Sequence, residues 1–220
     1  PSLFFRLLQI PKNSIIHTHI AQPFFPEIVF LISKIKKIPY ICHIRLDVEP
    51  SGFFGFLLEP YKKIFLKKVL QNANKIIVLT KDYKELISKK YDVKESKIKI
   101  IPNATNFERK KKSYENKKDK ILLFVGRLSK QKDMPLLLDS VKKVNGIKLR
   151  IVGEGEEKEN TINLIKKLSL EKRVVMVGRK EGKNLEKEYE NADIFIMTSK
   201  QESFGTTFIE AMSKGLPIVS

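Results

Sequence analysis

The residues best suited to chemistry lie late in the chain, in Glu202-Ser203-Phe204-Gly205-Thr206-Thr207-Phe208-Ile209-Glu210. Two carboxylates flank a Phe-Gly hinge, directly after the apolar run 192–197. An apolar run, small polar residues, a glycine and then a helical pattern (Phe208, Ile209, Ala211, Met212) describe a strand–loop–helix junction. In an open α/β sheet such junctions lie at the carboxyl edge, where ligands bind. Gly205 admits close backbone approach, and the first amides of the new helix are free for an anion. Thr206 and Thr207 are expected to cap that helix and to offer hydroxyls. In an unbroken helix Glu202 and Glu210 would stand about 80° apart; the glycine instead leaves Glu202 on the loop and Glu210 on the first turns. Two acceptors on either side of an anion-binding helix start suit a sugar–diphosphate–nucleoside better than a simple phosphate. A solvated loop with two surface carboxylates is the competing reading.

Three further stretches carry compatible chemistry. Gly126-Arg127-Leu128-Ser129-Lys130-Gln131-Lys132 follows a strand and precedes a helix. There Arg127 as a fork and Lys132 as a point charge can bracket a diphosphate, unless they are ordinary surface cations. Gly153-Glu154-Gly155 is a tight strand-to-helix turn that lacks the third glycine of a dinucleotide fingerprint. Gly215-Leu216-Pro217 is a turn before a last apolar run.

The elements that must position these residues alternate. In the first half, strands are expected at 14–20, 39–44, 75–80 and 97–101, with helices at about 23–37, 53–72 and 82–90. The charged segment 106–119 reads as a solvated linker. The alternation then restarts, with strands at 121–125, 148–152, 173–177 and 192–197 and helices between them. Strands alternating with helices mean βαβ units and parallel sheets. The expectation is α/β, with two Rossmann-like domains facing across a cleft. Residues 1–105 would form the end of a first domain and residues 120–220 a second one. The chain begins at Pro1 and stops just inside an apolar run, so it is read as a fragment lacking both ends.

Composition narrows the class. The 220 residues are 42% hydrophobic and 31% charged, as in a globular protein with a core. One cysteine, Cys42, excludes a disulfide scaffold and fits a reducing compartment, packed in a strand. No apolar run approaches the roughly 20 residues of a membrane span. Net charge is +18, with 24 basic against 10 acidic residues in 1–118 and 19 against 15 in 119–220. The excess is mostly lysine scattered along helices, which favours a lysine-rich composition, with attraction to an anionic membrane as a second reading. Nucleic acid is not expected, because no aromatic-interleaved basic motif supports it. The helix at 53–72 is expected to pack mainly on the sheet, its aromatic start (Phe53, Phe54, Phe56) being the part that could dock on a membrane with lysines snorkelling.

The strings Phe124-Val125-Gly126-Arg127-Leu128, Leu149-Arg150-Ile151-Val152-Gly153-Glu154-Gly155-Glu156, Ala192-Asp193-Ile194-Phe195-Ile196, Glu202-Ser203-Phe204-Gly205 with Glu210-Ala211-Met212, and Gly215-Leu216-Pro217-Ile218-Val219 occur in that order across 119–220. In this the chain resembles the retaining nucleotide-sugar glycosyltransferases of family 4, the group 1 transferases with the two-Rossmann GT-B fold. The strings at 15–19, 76–80 and 98–103 match that family more loosely.

The resemblance implies a UDP-, GDP- or ADP-sugar as donor and a glycan or lipid-linked acceptor, a non-catalytic module that binds a nucleotide sugar being the alternative reading. It also implies hexosyl-type transfer with retention in cell-envelope polysaccharide synthesis, and a cytoplasmic location, peripheral to the membrane's inner face in one reading. Arg127 and Lys132 would hold the diphosphate, Glu210 the ribose hydroxyls and Glu202 the donor sugar. Gly126, Gly153, Phe204, Gly205, Thr206 and Thr207 would complete the donor site. No cofactor is implied, and the lack of an Asp-x-Asp pair agrees with the family's metal independence; Asp47-Val48-Glu49 is the nearest string and reads as a loop feature.

The first half departs from the family pattern. The Gly-rich loop of the family's first domain is not in the sequence. His43 is one residue off the family's arrangement beside the reacting sugar, and Arg45 stands where a second histidine is expected. His43 is therefore either catalytic or a packed strand residue. His17 and His19 are assigned to opposite faces of their strand, leaving His19, with Arg45, on the acceptor side.

Overall fold

The computed structural model describes residues 2–20, 22–45, 55–110, 112, 119–200, 202 and 204–220. Asp47, Glu49, Phe53, Phe54 and Ser203, singled out above, lie outside them. The chain divides into two compact units, Pro1–Asn103 and Ala104–Ser220.

The first unit opens with a helix the sequence reading did not anticipate, α1 (Ser2–Leu8), then β1 (Ile16–His19), α2 (Phe25–Lys36) and β2 (Tyr40–His43). β1 has one buried face, Ile16 and Thr18, and β2 buries Tyr40 and Cys42 on the same side. On α2 the expected apolar side of Phe24, Ile28, Leu31, Ile32 and Ile35 is buried only in part, at Ile32 and, packed against the core, Ile28. Val29, Ile32 and Ser33 face the core, whereas Phe24, Leu31 and Ile35 are exposed. Ser33 explains part of the shift, because its hydroxyl donates to the Ile38 carbonyl at 2.6 Å and so tolerates burial.

The expected helix at 53–72 is continuous over its described residues, 55–72, but its winding changes along the way. A 3-10 turn, Gly55–Leu57, leads into α3 (Leu58–Tyr61), a wide π turn, Lys62–Leu66, and α4 (Lys67–Asn72). Leu66, Val69 and Leu70 are buried while Phe56, Leu57, Ile64 and Phe65 are exposed. β3 (Lys75–Val78), α5 (Lys81–Tyr91) and β4 (Ile98–Ile100) complete the unit, Thr80 capping α5 by accepting from the Tyr83 amide at 3.2 Å. The four strands are parallel in the order β1-β2-β3-β4. Cys42 is fully buried in β2, where burial pushes its thiol up to about 12.

The second unit runs β5 (Lys120–Val125), α6 (Met134–Lys143), β6 (Ile147–Val152), α7 (Lys158–Lys167), β7 (Val174–Gly178), α8 (Gly182–Asn191), β8 (Ile194–Ile196), α9 (Thr206–Ser213) and β9 (Ile218–Val219). Its strands are parallel in the order β7-β6-β5-β8-β9. Counting from β5, that is the doubly wound 3-2-1-4-5 order, whose direction reverses between β5 and β8. β5 is therefore central, and Leu123 and Phe124 are wholly buried. Asp193, itself buried, ties β8 to β5 by accepting from the Ile121 amide at 2.8 Å.

The segment 106–119 is only in part the solvated linker expected: among its described residues Asn106, Glu108, Arg109 and Lys110 are exposed, but Phe107 and Lys112 are not. Phe107 packs edge-on to Tyr189 with ring centroids 5.6 Å apart, and the Lys110 amide donates to the Ser213 carbonyl at 2.8 Å. Lys112 donates to the Glu190 and Ala192 carbonyls. Buried Lys214, beside Phe107, pairs with Glu186 and Glu190. Lys110 and Lys214 thus pair with carboxylates of α8, while Lys112 donates to the carbonyls at and just past its end.

Candidate functional site

The carboxyl ends of β5, β6 and β7 are bound to one another before any side chain acts. The Gly126 amide donates to the Val152 carbonyl, the Leu128 amide to the Glu154 carbonyl and the Gly153 amide to the Gly178 carbonyl, each at 3.0 Å. Gly153 sits at φ 147°, and a Cβ there would collide with the Gly126 carbonyl oxygen, so only glycine fits. The three turns border an open cavity of about 480 Å³ lined by Gly126, Arg127, Gly153, Gly155, Arg179 and Lys180, among others. Arg127 is anticipated from sequence; Arg179 and Lys180 are not. Their signal was present, because Gly178-Arg179 after β7 repeats the Gly126-Arg127 arrangement after β5.

Lys132 ends a 3-10 turn, Lys130–Lys132, just before Asp133 caps α6 by accepting from the Leu136 amide at 3.3 Å. The loop after β8 crosses to this turn: Thr198 Oγ1 donates to the Lys132 carbonyl at 2.9 Å and the Lys200 amide to the Gln131 carbonyl at 2.9 Å. Across that junction Lys132 Nζ donates to Glu202 Oε1, and Ser199 Oγ donates to the same oxygen at 3.0 Å. The Lys132 side chain is only 15% exposed, so the pair is partly shielded from water. Lys132 and Glu202 thus meet at the β5/β8 reversal, the position where this topology opens a crevice. Arg127 is held more loosely: it pairs with Glu156 at 3.2 Å and its side chain is 76% exposed.

Gly205 adopts φ 58° and is itself the N-cap of α9, with no side-chain cap. Thr206 and Thr207, expected to cap, are instead the first two helical residues; a left-handed cap position favours glycine. Phe204 is half-buried beside them. Glu210, also half-buried, receives a 2.6 Å hydrogen bond from Tyr189 Oη on α8. Burial pushes the Glu210 carboxyl up, and the tyrosine bond partly opposes that. Tyr189 is completely buried and stacks on Phe195 at 5.9 Å. Sequence reasoning missed Tyr189, whose apolar surroundings conceal its one polar atom.

On the first unit the assignment of His17 and His19 to opposite faces is wrong. Side chains alternate with period two, so residues two apart share a face, and both rings stand on the exposed side of β1, stacked with centroids 5.1 Å apart. His19 is in register with His43 on β2, its ring centroid 4.7 Å from that of His43. His43 is half-buried and burial, then the neighbouring His19, His17 and Arg45, push it down to about 4. His19 is lowered by burial and then by His17 and Arg45. Arg45 is exposed just past β2.

Comparison with known proteins follows the division of the chain. Residues 105–220 match the family model described as glycosyl transferases group 1, and residues 2–109 that of glycosyltransferase family 4. An uncharacterized glycosyltransferase of Methanocaldococcus jannaschii is 29% identical over 97% of this chain and 58% of its own length. The amylovoran biosynthesis glycosyltransferase AmsD of Erwinia amylovora is 32% identical over 67% of this chain and 43% of its own. The crystal structure of Anabaena HepE in complex with UDP and glucose superposes with a TM-score of 0.79 at 18% identity, covering 100% of this chain and 62% of that one. The chain thus spans roughly half the length of the curated relatives it matches.

Proposed function

The chain belongs to the group 1 glycosyl transferases, and on that premise we propose that its second unit binds the donor for sugar transfer from a nucleoside diphosphate sugar. The reading is supported above all by Lys132 and Glu202 meeting where β5 and β8 diverge, with a glycine-rich cationic cavity along the adjoining β5–β7 edge. In this reading Lys132 and Arg127 exchange their carboxylate partners for the donor diphosphate. Glu202, released, accepts hydrogen bonds from the donor sugar. Arg179 and Lys180 add positive charge on the β7 side. Glu210, oriented by Tyr189, accepts from the ribose hydroxyls. Phe204, Gly205, Thr206 and Thr207 supply backbone and hydroxyl groups between sugar and phosphate.

The leaving diphosphate gains negative charge as the glycosidic bond breaks, so cations fixed beside it stabilise the transition state more than the ground state. An oxocarbenium-like centre attacked by the acceptor on the face the diphosphate leaves gives retention of configuration. His43, His19 and Arg45, at the carboxyl edge of the first sheet, are the acceptor-side candidates. The acceptor in this reading is a glycan or lipid-linked saccharide; AmsD is a biosynthetic glycosyltransferase for the polymer amylovoran. Among the described residues no helix is long and apolar enough to cross a membrane. A thermal-shift panel of UDP-, GDP- and ADP-sugars tests the donor assignment, because a ligand of the native state alone raises its stability. One donor should raise Tm well above the others; no response to any of them contradicts the reading.

A further inference from the structure

Every histidine in the 220-residue chain lies in one cluster. His17 and His19 share the exposed face of β1 because they are two residues apart, and the parallel register sets His43 of β2 directly beside His19. One nitrogen from each ring lies within 4.8 Å of the others. The rings lie face to face rather than hydrogen-bonded: His17 and His43 are 5.6 Å apart at 13°, His17 and His19 5.1 Å apart at 22°.

His43 carries the second observation. Both its ring nitrogens are buried and neither has a hydrogen-bond partner. Buried polar atoms are nearly always partnered, and an exception needs an explanation, a bound ion being one. A neutral imidazole carries one lone-pair nitrogen, and in His43 no hydrogen bond occupies it.

We propose that His17, His19 and His43 form a three-imidazole site for one late first-row divalent cation, such as Zn2+, Co2+, Ni2+ or Cu2+, with a coordination position left open. The donor set fixes the class: imidazole suits these metals, while the hard cations Mg2+ and Ca2+ require the oxygen ligands this cluster lacks. In a tetrahedral zinc site with Zn–N of about 2.0–2.1 Å, ligand nitrogens stand roughly 3.4 Å apart. Metal binding therefore requires the exposed His17 and His19 side chains to rotate, closing their nitrogens from within 4.8 Å to that spacing around His43. Three protein ligands with a fourth position for water or substrate is the arrangement of reactive rather than purely structural zinc sites. The site rests on the first unit alone and is independent of the donor reading for the second.

Titrating Co2+ into the chain, followed by visible absorption, tests this directly, with Zn2+ calorimetry alongside. Saturation at one equivalent is expected, with nitrogen-ligand d–d bands of low coordination number. His17→Ala and His19→Ala should each weaken binding at least about tenfold, and the triple alanine variant should abolish it. His17 and His19 are exposed, so those two variants keep the test valid where His43→Ala fails to fold. Absence of saturable binding, or affinity unchanged in both His17→Ala and His19→Ala, overturns the proposal.

Discussion

Lys132 and Glu202 are 70 residues apart in sequence and form an ion pair in the fold, because β5 and β8 are neighbours in the second sheet. The pair gives the donor site a resting state in which cation and carboxylate satisfy each other. A diphosphate must displace Glu202 from Lys132, and the displaced carboxylate is then free for the sugar. Glu202→Gln should therefore tighten binding of a free nucleoside diphosphate by about threefold, less than the 1.4 kcal/mol worth a factor of ten. The same variant should lose the preference for one nucleotide sugar over the others. Calorimetry with both ligand types reads the two effects separately; weaker diphosphate binding in Glu202→Gln would show that the carboxylate does not compete for Lys132.

Gly153 is the position least able to change. Alanine there meets the Gly126 carbonyl oxygen and a left-handed φ of 147°. Both penalties act on the turns that line the cavity, so a loss of about 2–4 kcal/mol in unfolding free energy is expected. Urea denaturation measures it. A loss below about 0.5 kcal/mol, the range of neutral surface changes, would mean that the β5 and β6 turns separate easily.

Glu210 exchanges stability for function in this account. Burial raises its folded-state pKa above the unfolded value, so the protonated form is the one the fold favours. The associated stability is complete below the unfolded carboxyl pKa, near 4.5, and is lost as pH rises through the folded value. Glu210→Gln, which cannot ionise, should melt above the parent chain at pH 8, and the difference should shrink towards pH 4.5. The same variant should bind nucleoside diphosphate more weakly. Parallel melting curves across that range would remove the burial argument.

Tyr189 offers a separate check on Glu210. Its hydroxyl reaches the carboxylate at 2.6 Å from a completely buried ring. Tyr189→Phe keeps the ring packing and removes the bond, which should push the Glu210 carboxyl further up and cost about 1–2 kcal/mol, since a charged acceptor loses its donor. Nuclear magnetic resonance of the Glu210 carboxyl carbon follows the titration. An unchanged or lower midpoint in Tyr189→Phe contradicts the assigned partnership.

What could be read from the sequence was local. Turns such as Gly126-Arg127 and Gly153-x-Gly155 announce themselves because a strand, a glycine and a helix are contiguous in the chain, and parallel β/α alternation followed from them. Pairings that depend on strand order were not readable: Lys132 with Glu202 requires β5 beside β8, and Tyr189 with Glu210 requires α8 beside α9. The shared face of His17 and His19, by contrast, is legible from the strand period of two alone. Arg179 and Lys180 were overlooked although their glycine-led turn resembles the one that drew attention to Arg127. On α2, apolar residue type misled, since Leu31 and Ile35 are exposed while Ser33 is buried.

The claim that Arg127 and Lys132 hold the diphosphate is tested most directly by calorimetric titration of UDP, GDP and ADP into the chain and into the Arg127→Ala/Lys132→Ala double variant. The parent chain should bind one of the three with one-site stoichiometry. The double variant, with melting behaviour otherwise preserved, should bind it at least about a hundredfold more weakly, two charge-assisted contacts of roughly 1.5–3 kcal/mol each being lost. Equal affinity in the two proteins would place the diphosphate elsewhere and contradict the donor site described here.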